Sequence, residues 1–520
     1  MLLHNGRILT VDDAFSTVEA VAIRDGKILA VGGSDLARRY SASRTIDLAG
    51  RTVVPGFDDT HMHVWGTPRR YVDVAGVRSI TELQRLVADK AADLGPGEWV
   101  TGYGWAEDEF AEARLPNRLD LDQAAPANPV LLDRAGGHSA VASSKALELA
   151  GLTASTADPQ GGMLERDPSM GLTGIIRERQ DIVATLVPAS TPQELRASFL
   201  KNLKGLLALG ITSIIEAGVT PTEYLEWEEL YRRYGEDLPR AAVQIRWSGA
   251  RALRAFGRKT GDGNERLRVG AIKVLVDGGF TGPAAYTIDA YKGQPDYHGK
   301  LNVTEAELNE IVETGHSMGW QLGFHTIGDA AIQLTIDAFE RALRYMPRED
   351  PRHYVNHFTV PPPEQTLLLM AKDGILISQQ PNFTYTLESR YLQSLEGYKL
   401  LHNNPLRTPM SKGIFMALGS DVLPVGPMVG IYAAVTRKGK SGRTYAEEER
   451  LTIQEAVRGY TRNGAFFTRE ENIKGVIEPG KLADLAVLNE DLVTIDPSRL
   501  LDVKVDMTIV GGKIVYERLR

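Results

Sequence analysis

Two histidines, His61 and His63, stand one residue apart in the segment VVPGFDDTHMHVW, residues 53–65. Side chains two residues apart on an extended strand point to the same face, so both imidazole rings can reach one point. Neutral imidazole is the commonest metal-binding side chain. The spacing therefore predicts two metal ligands on one strand. For each ring taken alone, a hydrogen-bonded core histidine is the alternative.

Three further candidate ligands each close an apolar segment. His325 ends WQLGFH, His357 ends RHYVNH, and Asp421 ends IFMALGSD. Apolar runs of this kind are typical of buried parallel strands, and a (β/α)8 barrel carries its active site at the carboxyl ends of its strands. We therefore predict that these three side chains meet His61 and His63 at one end of a barrel.

Lys273 is the one charged residue within the apolar run VGAIKVLV. A buried ammonium group costs several kcal/mol unless it is paired or loses its proton. If the amine reacts with carbon dioxide, it becomes a carbamate whose two oxygens can bridge two metal ions. The alternative is an ordinary lysine paired with Asp277 or Glu216, which would leave a site for one ion.

The elements that must position these residues alternate between apolar strands and helical segments. With the opening stretch, the chain offers eight such strands; the other seven are ITSIIEAG, AAVQIRW, VGAIKVLVDGG, WQLGFHTIGD, RHYVNHFTV, ILISQQPN and IFMALGSDV. One intervening helix is predicted from Thr304, where Thr-Glu-Ala-Glu forms a capping box ahead of Leu308. The pattern predicts an α/β fold, a (β/α)8 TIM barrel over residues 51–474.

Both ends of the chain consist of short predicted strands joined by tight turns. Asn5-Gly6, Asp25-Gly26 and Gly511-Gly512 mark these turns, because each pair tolerates positive φ. Residues 1–50 and 475–520 are therefore predicted to form one small β-sandwich domain from both termini.

An insertion of about residues 66–195 separates the first two barrel strands and is too long for an ordinary βα loop. We interpret it as a lid with elements of its own. Candidate substrate-binding residues in the insertion and after the fourth strand are Trp105, Glu107, Arg134, His138, Glu178 and Tyr286. Each could instead hold its own segment together, and a loop histidine such as His138 could cap the backbone. We assign the remaining histidines, His4, His298, His316, His353 and His402, to structure or surface.

Composition narrows the class of protein. Lys plus Arg number 59 and Asp plus Glu 67, so the 520 residues carry a net charge of −8 with no block of like charge. We therefore expect a small-molecule ligand and no binding of nucleic acid or membrane. Cysteine is absent, which excludes disulfides and thiolate ligands. The opening residues MLLHNGRILTVDD do not resemble a secretory signal, so a cytoplasmic location is expected. A homodimer is the commonest assembly for such a protein.

Several motifs together resemble the amidohydrolase superfamily: PGFDDTHMH, the strand lysine, HTIGDAA, VNH, GSD, IEPGKLADLAVL and TIVGGKIVYE. Motifs in the insertion are similar to those of amidohydrolase family 3. They are GWAEDEF, GLTGIIRE and the segment LPNRLDLDQAAPANPVLLDRAGGHSAVASSKALELAGL. This family is the YtcJ-like branch that includes N-substituted formamide deformylase. The resemblance implies a distorted barrel with one or two divalent ions, usually zinc. His61 and His63 would bind the first ion, carboxylated Lys273 would bridge, and His325 and His357 would bind the second.

The resemblance also implies a reaction. Metal-activated hydroxide would attack a substrate carbonyl, with Asp421 as metal ligand and general base, and an amide, N-acyl or N-formyl amine C–N bond would break. Alternatives on the same scaffold are a mononuclear cyclic amidase, a deaminase or an ester or lactone hydrolase. A metal-dependent lyase or decarboxylase, or a non-catalytic protein of this fold, are alternatives of another class.

Overall fold

The computed structural model of the protein describes residues 1–107, 110–135 and 139–518. The chain divides into two compact units, one of Met1–Val64 with Asn202–Arg520 and one of Trp65–Lys201. His138, predicted to bind substrate, lies outside the described residues. Within the described ranges, no helix has the length and apolar character needed to cross a membrane.

The elements follow one another along the chain as two interleaved series. The strands are β1 (Leu2–His4), β2 (Arg7–Leu9), β3 (Thr17–Val18), β4 (Ala20–Arg24), β5 (Lys27–Gly32), β6 (Thr45–Asp47), β7 (Thr52–Pro55), β8 (Phe57–Met62), β9 (Tyr71–Asp73), β10 (Val100–Trp105), β11 (Val130–Arg134), β12 (Ser139–Ala142), β13 (Met163–Asp167), β14 (Gly171–Arg177), β15 (Ile211–Val219), β16 (Arg240–Arg246), β17 (Leu267–Lys273), β18 (Gly323–Thr326), β19 (Tyr354–His357), β20 (Leu376–Gln379), β21 (Met416–Leu418), β22 (Leu485–Leu488), β23 (Val505–Val510) and β24 (Lys513–Glu517). The α-helices are α1 (Leu36–Arg39), α2 (Ile80–Leu94), α3 (Arg118–Ala124), α4 (Ser144–Leu149), α5 (Asp181–Ala184), α6 (Pro192–Leu206), α7 (Pro221–Tyr234), α8 (Ala250–Phe256), α9 (Glu305–Ser317), α10 (Asp329–Tyr345), α11 (Glu364–Asp373), α12 (Asn382–Thr386), α13 (Glu388–Ser394), α14 (Gly397–Leu401), α15 (Arg407–Ser411), α16 (Pro427–Thr436), α17 (Ile453–Gly459) and α18 (Arg462–Phe467).

Strands from both termini share one hydrophobic core. A six-stranded sheet runs in the order β24-β23-β22-β7-β2-β3, and a four-stranded sheet in the order β5-β4-β1-β6. β7 and β22 pair antiparallel, with Val53 opposite Val487, so the two ends of the chain are hydrogen-bonded to each other. Leu3 and Ile509 are buried in the core of these sheets.

Two four-stranded parallel sheets lie in the same unit, in the orders β17-β16-β15-β8 and β18-β19-β20-β21. Isolated parallel bridges join Ile272 to Leu322 and Leu275 to His325, next to β17 and β18. β15 is buried along its whole length, as expected for a parallel strand covered on both faces. These strands therefore bring their carboxyl ends, which carry the predicted ligands, to one side.

The helix predicted from Thr304 is confirmed as α9. The Thr304 side chain accepts a hydrogen bond from the Glu307 N–H, and the Thr304 N–H donates one to the Glu307 carboxylate. Leu308, Ile311 and Val312 are buried along one face of the helix. A satisfied N-terminus and an apolar stripe at helical spacing explain why this segment is helical.

The second unit, Trp65–Lys201, has its own sheet and core. Its strands run in the order β13-β14-β12-β11-β10-β9. Helix α2 begins after Ser79, whose side chain accepts from the Glu82 N–H, and buries Leu83 and Val87 in a core that also contains Leu132. A separate core explains why so long an insertion is ordered between β8 and β15.

Candidate metal centre

His61, His63 and Asp421 come together at the carboxyl ends of β8 and β21. One potential ligand atom from each side chain lies within 4.8 Å of the other two. The two segments are tied directly, because the Asp421 N–H donates to the His61 carbonyl at 2.7 Å. A Cβ at Gly419 would lie 2.6 Å from the His61 nitrogen, so only glycine allows this approach. The backbone of Asp421 is left-handed, with φ 57°.

His357 and His325 extend this cluster. The ring centroids of His61 and His357 lie 4.5 Å apart, and those of His357 and His325 lie 4.4 Å apart. His357 is the last residue of β19 and has φ 74°, a conformation that costs energy for a residue with a side chain. Such strain concentrates at functional sites, where the surrounding structure holds it in place.

Nitrogen atoms of this cluster are buried without a hydrogen-bond partner in the described chain. They are Nε2 of His61, Nε2 of His325, both ring nitrogens of His357, and Nζ of Lys273. A buried polar group without a partner is costly, and native structures rarely keep one without a reason. A divalent ion would supply the missing partner, and these nitrogen donors with the Asp421 carboxylate are a set that zinc accepts. The residues present therefore fit a metal ion.

Lys273 ends β17 with 3% of its surface exposed. Burial lowers its pKa to about 7, although Asp421 and Glu216 oppose the shift. The predicted pairings of Lys273 with Asp277 or Glu216 are not hydrogen bonds, since its amine has no hydrogen-bond partner among the described residues. Asp277 instead accepts from the backbone N–H groups of Tyr286, Ile327 and Gly328.

Burial also determines the charge of the histidines. It lowers the pKa of His61 and His357 well below the usual range, and it lowers that of His325 to about 3, in each case with Lys273 adding to the shift. The rings are neutral, which is the form that binds a metal ion. Burial raises the pKa of Asp421 and so favours a carboxyl group that can hold a proton.

Two polar residues that were not predicted to orient the ligands, Glu216 and Asn356, lie next to the ligand rings. Glu216 Oε1 lies 3.3 Å from His63 Nδ1, and Glu216 Oε2 accepts from the Val64 N–H. Asn356 Oδ1 lies 2.8 Å from His61 Nδ1. Partners of this kind orient metal-binding rings. The signal was available, because Asn356 belongs to the VNH motif and Glu216 follows the apolar run ITSII.

Asp59 joins the strands that carry His61 and Asp421. Its carboxylate accepts from the backbone N–H groups of His61 and Ser420, at 3.2 and 3.0 Å, and from the Ser420 hydroxyl. Burial raises its pKa to about 7, and these hydrogen bonds oppose the shift. Asp59 thus fixes the carboxyl ends of β8 and β21 to each other.

The predicted substrate residues are placed in different parts of the molecule. Tyr286 is half-buried next to the centre, in the loop that Asp277 anchors. Trp105 is fully buried in the core of the second unit and donates to the Leu132 carbonyl, so it has no surface to offer a ligand and acts as a packing residue. Glu107 and Arg134 form a two-bond ion pair within the same unit.

The remaining residue of that set, Glu178, is exposed at the end of β14 with φ 61°. It belongs to the second unit, as do Trp105, Glu107 and Arg134. Of the five predicted substrate residues that the structure describes, only Tyr286 lies in the unit that holds the predicted metal ligands.

A family model described as "Amidohydrolase family" matches residues 44–516. The chain belongs to this amidohydrolase family. N-substituted formamide deformylase of Arthrobacter pascens is 30% identical over 547 residues, covering 100% of this chain and 98% of that protein. YtcJ of Bacillus subtilis (strain 168) is 28% identical over 539 residues, covering 99% of each chain.

A solved member of the same fold is also similar. The crystal structure of an uncharacterized metal-dependent hydrolase from Pyrococcus horikoshii OT3 superposes with a TM-score of 0.72 and 25% identity, covering 96% of this chain and 99% of that one. The family resemblance inferred from the motifs is therefore confirmed over nearly the whole chain.

Proposed function

We propose that this amidohydrolase family member hydrolyses the C–N bond of an N-acyl or N-formyl amine with the help of bound zinc. The observation that carries the proposal is a set of buried ring nitrogens that have no hydrogen-bond partner among the described residues and lie with the Asp421 carboxylate at one end of the parallel strands. Similarity to N-substituted formamide deformylase supports the choice of bond. In this proposal the eight parallel strands form a closed, distorted (β/α)8 barrel.

The ligand set divides between two ions. His61, His63 and Asp421 would hold one, since their ligand atoms lie within 4.8 Å of one another. His325 and His357 would hold the other, and a carbamate on Lys273 would bridge. The carbamate forms when the neutral Nζ bonds to the carbon of carbon dioxide and releases a proton. A buried amine without a hydrogen-bond partner supports this assignment.

When bound, the ions supply Lewis-acid polarisation of the substrate carbonyl and make water more acidic. Asp421 accepts the proton of the attacking water on its carboxylate as the new C–O bond forms. It then delivers that proton to the departing amine nitrogen as the C–N bond breaks. The products are a carboxylic acid, or formic acid from a formamide, and a free amine.

Apolar surface next to the ligands favours substrates with an apolar amine substituent. Leu275 is 47% exposed although it pairs with His325, and Val422 is 36% exposed next to Asp421. Exposed apolar side chains beside a polar centre are typical of ligand-binding sites.

The test is hydrolysis of N-alkyl formamides by protein reconstituted with zinc and bicarbonate, with formate and amine both quantified. Asp421→Asn should lower kcat by about 10²- to 10⁴-fold, because the proton acceptor is lost. Asp373→Asn is the matched control, since Asp373 is also half-buried but ion-pairs with Lys372 on α11.

Near wild-type turnover by Asp421→Asn would refute the role of this residue. Cleavage that yields products other than acid and amine would instead indicate a lyase. One bound ion per chain, measured by elemental analysis, would indicate a mononuclear hydrolase or deaminase.

A further inference from the structure

Extending the proposed metal centre, we infer that Asn356 is a positioning residue that fixes which nitrogen of His61 faces the metal ion. The His61 ring is fully buried, and its two nitrogens have different surroundings. Nδ1 lies 2.8 Å from Asn356 Oδ1, whereas Nε2 has no hydrogen-bond partner in the described part of the chain.

The orientation of the Asn356 amide follows from its other contact. Asn356 Nδ2 lies 3.1 Å from the Gly323 carbonyl oxygen. A carbonyl only accepts hydrogen bonds, so the amide must present its NH2 group to Gly323 and its oxygen to His61. The Gly323 carbonyl also receives a hydrogen bond from Gln244 Nε2 at 3.0 Å, which holds this acceptor in place.

The tautomer of His61 follows in turn. Because Asn356 Oδ1 is an acceptor, the proton of the neutral ring must lie on Nδ1, and the lone pair on Nε2 is left for a metal ion. His63 is arranged in the same way, with the Glu216 carboxylate 3.3 Å from its Nδ1. His61, on β8, and His63, just after it, thus differ in their partners, a neutral amide for the first and a carboxylate for the second.

The backbone explains how Asn356 and His357 can both reach the cluster. Adjacent residues of a regular strand point to opposite faces, so one of the two should face away. The left-handed φ of His357, 74°, breaks the alternation and places its ring 4.5 Å from that of His61. One strand end therefore supplies a candidate ligand and the residue that orients a ligand on β8.

The test compares Asn356→Leu, which keeps the shape but removes the acceptor, with Asn356→Asp, which keeps an acceptor. Zinc affinity is measured by competition with a chelator, without substrate. Asn356→Leu should bind zinc about 10- to 100-fold more weakly than wild type. Asn356→Asp should bind about tenfold more tightly than Asn356→Leu.

The matched control is Asn128→Leu. Asn128 is buried in the second unit and donates to the Gly95 and Glu98 carbonyls of that unit. It should lose stability and keep its zinc affinity. Equal weakening in Asn128→Leu, or no rescue by aspartate, would show that Asn356 acts only by packing.

A second readout does not need metal. The metal-free protein is labelled with 15N-histidine, and the ring signal of His61 is identified as the one that is lost in His61→Gln. This signal should show a proton on Nδ1. Asn356→Leu should change it. A proton on Nε2 in the wild type would overturn the inference. If the wild type binds no zinc, the proposed function fails, whereas this measurement still decides the role of Asn356.

Discussion

Each end of the parallel strands contains a buried lysine and a group of histidines, and the hydrogen-bond partners of these side chains differ between the two ends. At the carboxyl ends, Lys273 has no hydrogen-bond partner within the part of the chain that the structure describes. At the amino ends, Lys474 lies 2.8 Å from Asp58 and 3.1 Å from Glu470, and it also contacts the Ser213 hydroxyl. Burial by itself would lower the pKa of either lysine. The ion pairs with Asp58 and Glu470 outweigh this effect and raise the pKa of Lys474 above its usual value, whereas burial dominates at Lys273 and lowers its pKa to about 7.

The histidines repeat this contrast. His316 and His353 use all four of their ring nitrogens: His316 Nδ1 bonds to His353 Nε2 at 2.9 Å, His316 Nε2 to the Met346 carbonyl, and His353 Nδ1 to the Leu322 N–H. Their assignment to structure from sequence is confirmed. By contrast, Nε2 of His61, Nε2 of His325 and both ring nitrogens of His357 have no hydrogen-bond partner in residues 1–107, 110–135 and 139–518. Burial alone therefore does not distinguish the two ends. Among the described residues, buried histidine ring nitrogens without a hydrogen-bond partner occur only at the carboxyl ends.

Replacing each lysine by methionine gives the largest expected contrast. Lys474→Met leaves the buried Asp58 carboxylate without this cation, while Glu470 keeps its ion pair with Arg268, and should lower the free energy of unfolding by about 3–5 kcal/mol. Lys273→Met removes a buried amine that has no hydrogen-bond partner among the described residues, and it should change the stability of the metal-free protein by less than about 1 kcal/mol. Urea denaturation followed by tryptophan fluorescence measures both. A Lys273→Met variant as unstable as Lys474→Met would mean that the amine has a structural pairing.

Acidification should weaken the amino end through its histidine pair. Burial lowers the pKa of His353 well below the usual range and also lowers that of His316, with Arg348 adding to both shifts and Arg469 to that of His353. Below the unfolded-state pKa of about 6.5 the unfolded chain binds more protons than the folded one, so stability is present above that pH and falls as pH decreases.

The slope is at most about 1.4 kcal/mol per pH unit for each histidine. It is measured by denaturation of metal-free protein between about pH 7 and 5, where unfolded histidine titrates. His353→Phe should reduce the slope, and His4→Gln on the N-terminal strand β1 should not. An unchanged slope in His353→Phe would assign the acid sensitivity to other groups.

The smallest expected effect concerns substrate binding at the carboxyl end. Leu275→Asn should raise KM about fivefold for formamides with a long alkyl substituent, because part of a leucine side chain no longer covers apolar surface. Leu225→Asn on α7 is the control, since Leu225 is 51% exposed and Leu275 47%. Equal KM values for long and short substituents in wild type and variant would remove Leu275 from the binding surface.

Local patterns of the sequence predicted several parts of this arrangement. Three patterns predicted a ligand set at strand ends. They are the spacing of two between His61 and His63, the apolar runs that end in His325 and His357, and the GSD motif. The capping box at Thr304 predicted α9. The structure contains α9 and brings these side chains together, because strand alternation, helix capping and burial of apolar runs depend on neighbouring residues.

Only the tertiary structure decided which buried polar groups would have partners. Lys273 and Lys474 are the same residue type, and nothing near Lys474 in the sequence indicates that Asp58 and Ser213 would meet it. The same holds for His61 and Asn356, which are 295 residues apart in the chain. A hydrogen bond requires its atoms to meet within about 3 Å, and the order of strands in the sheets determines which distant residues do so. The sequence determined the candidate ligands, and the fold determined which of them were left free to bind a metal ion.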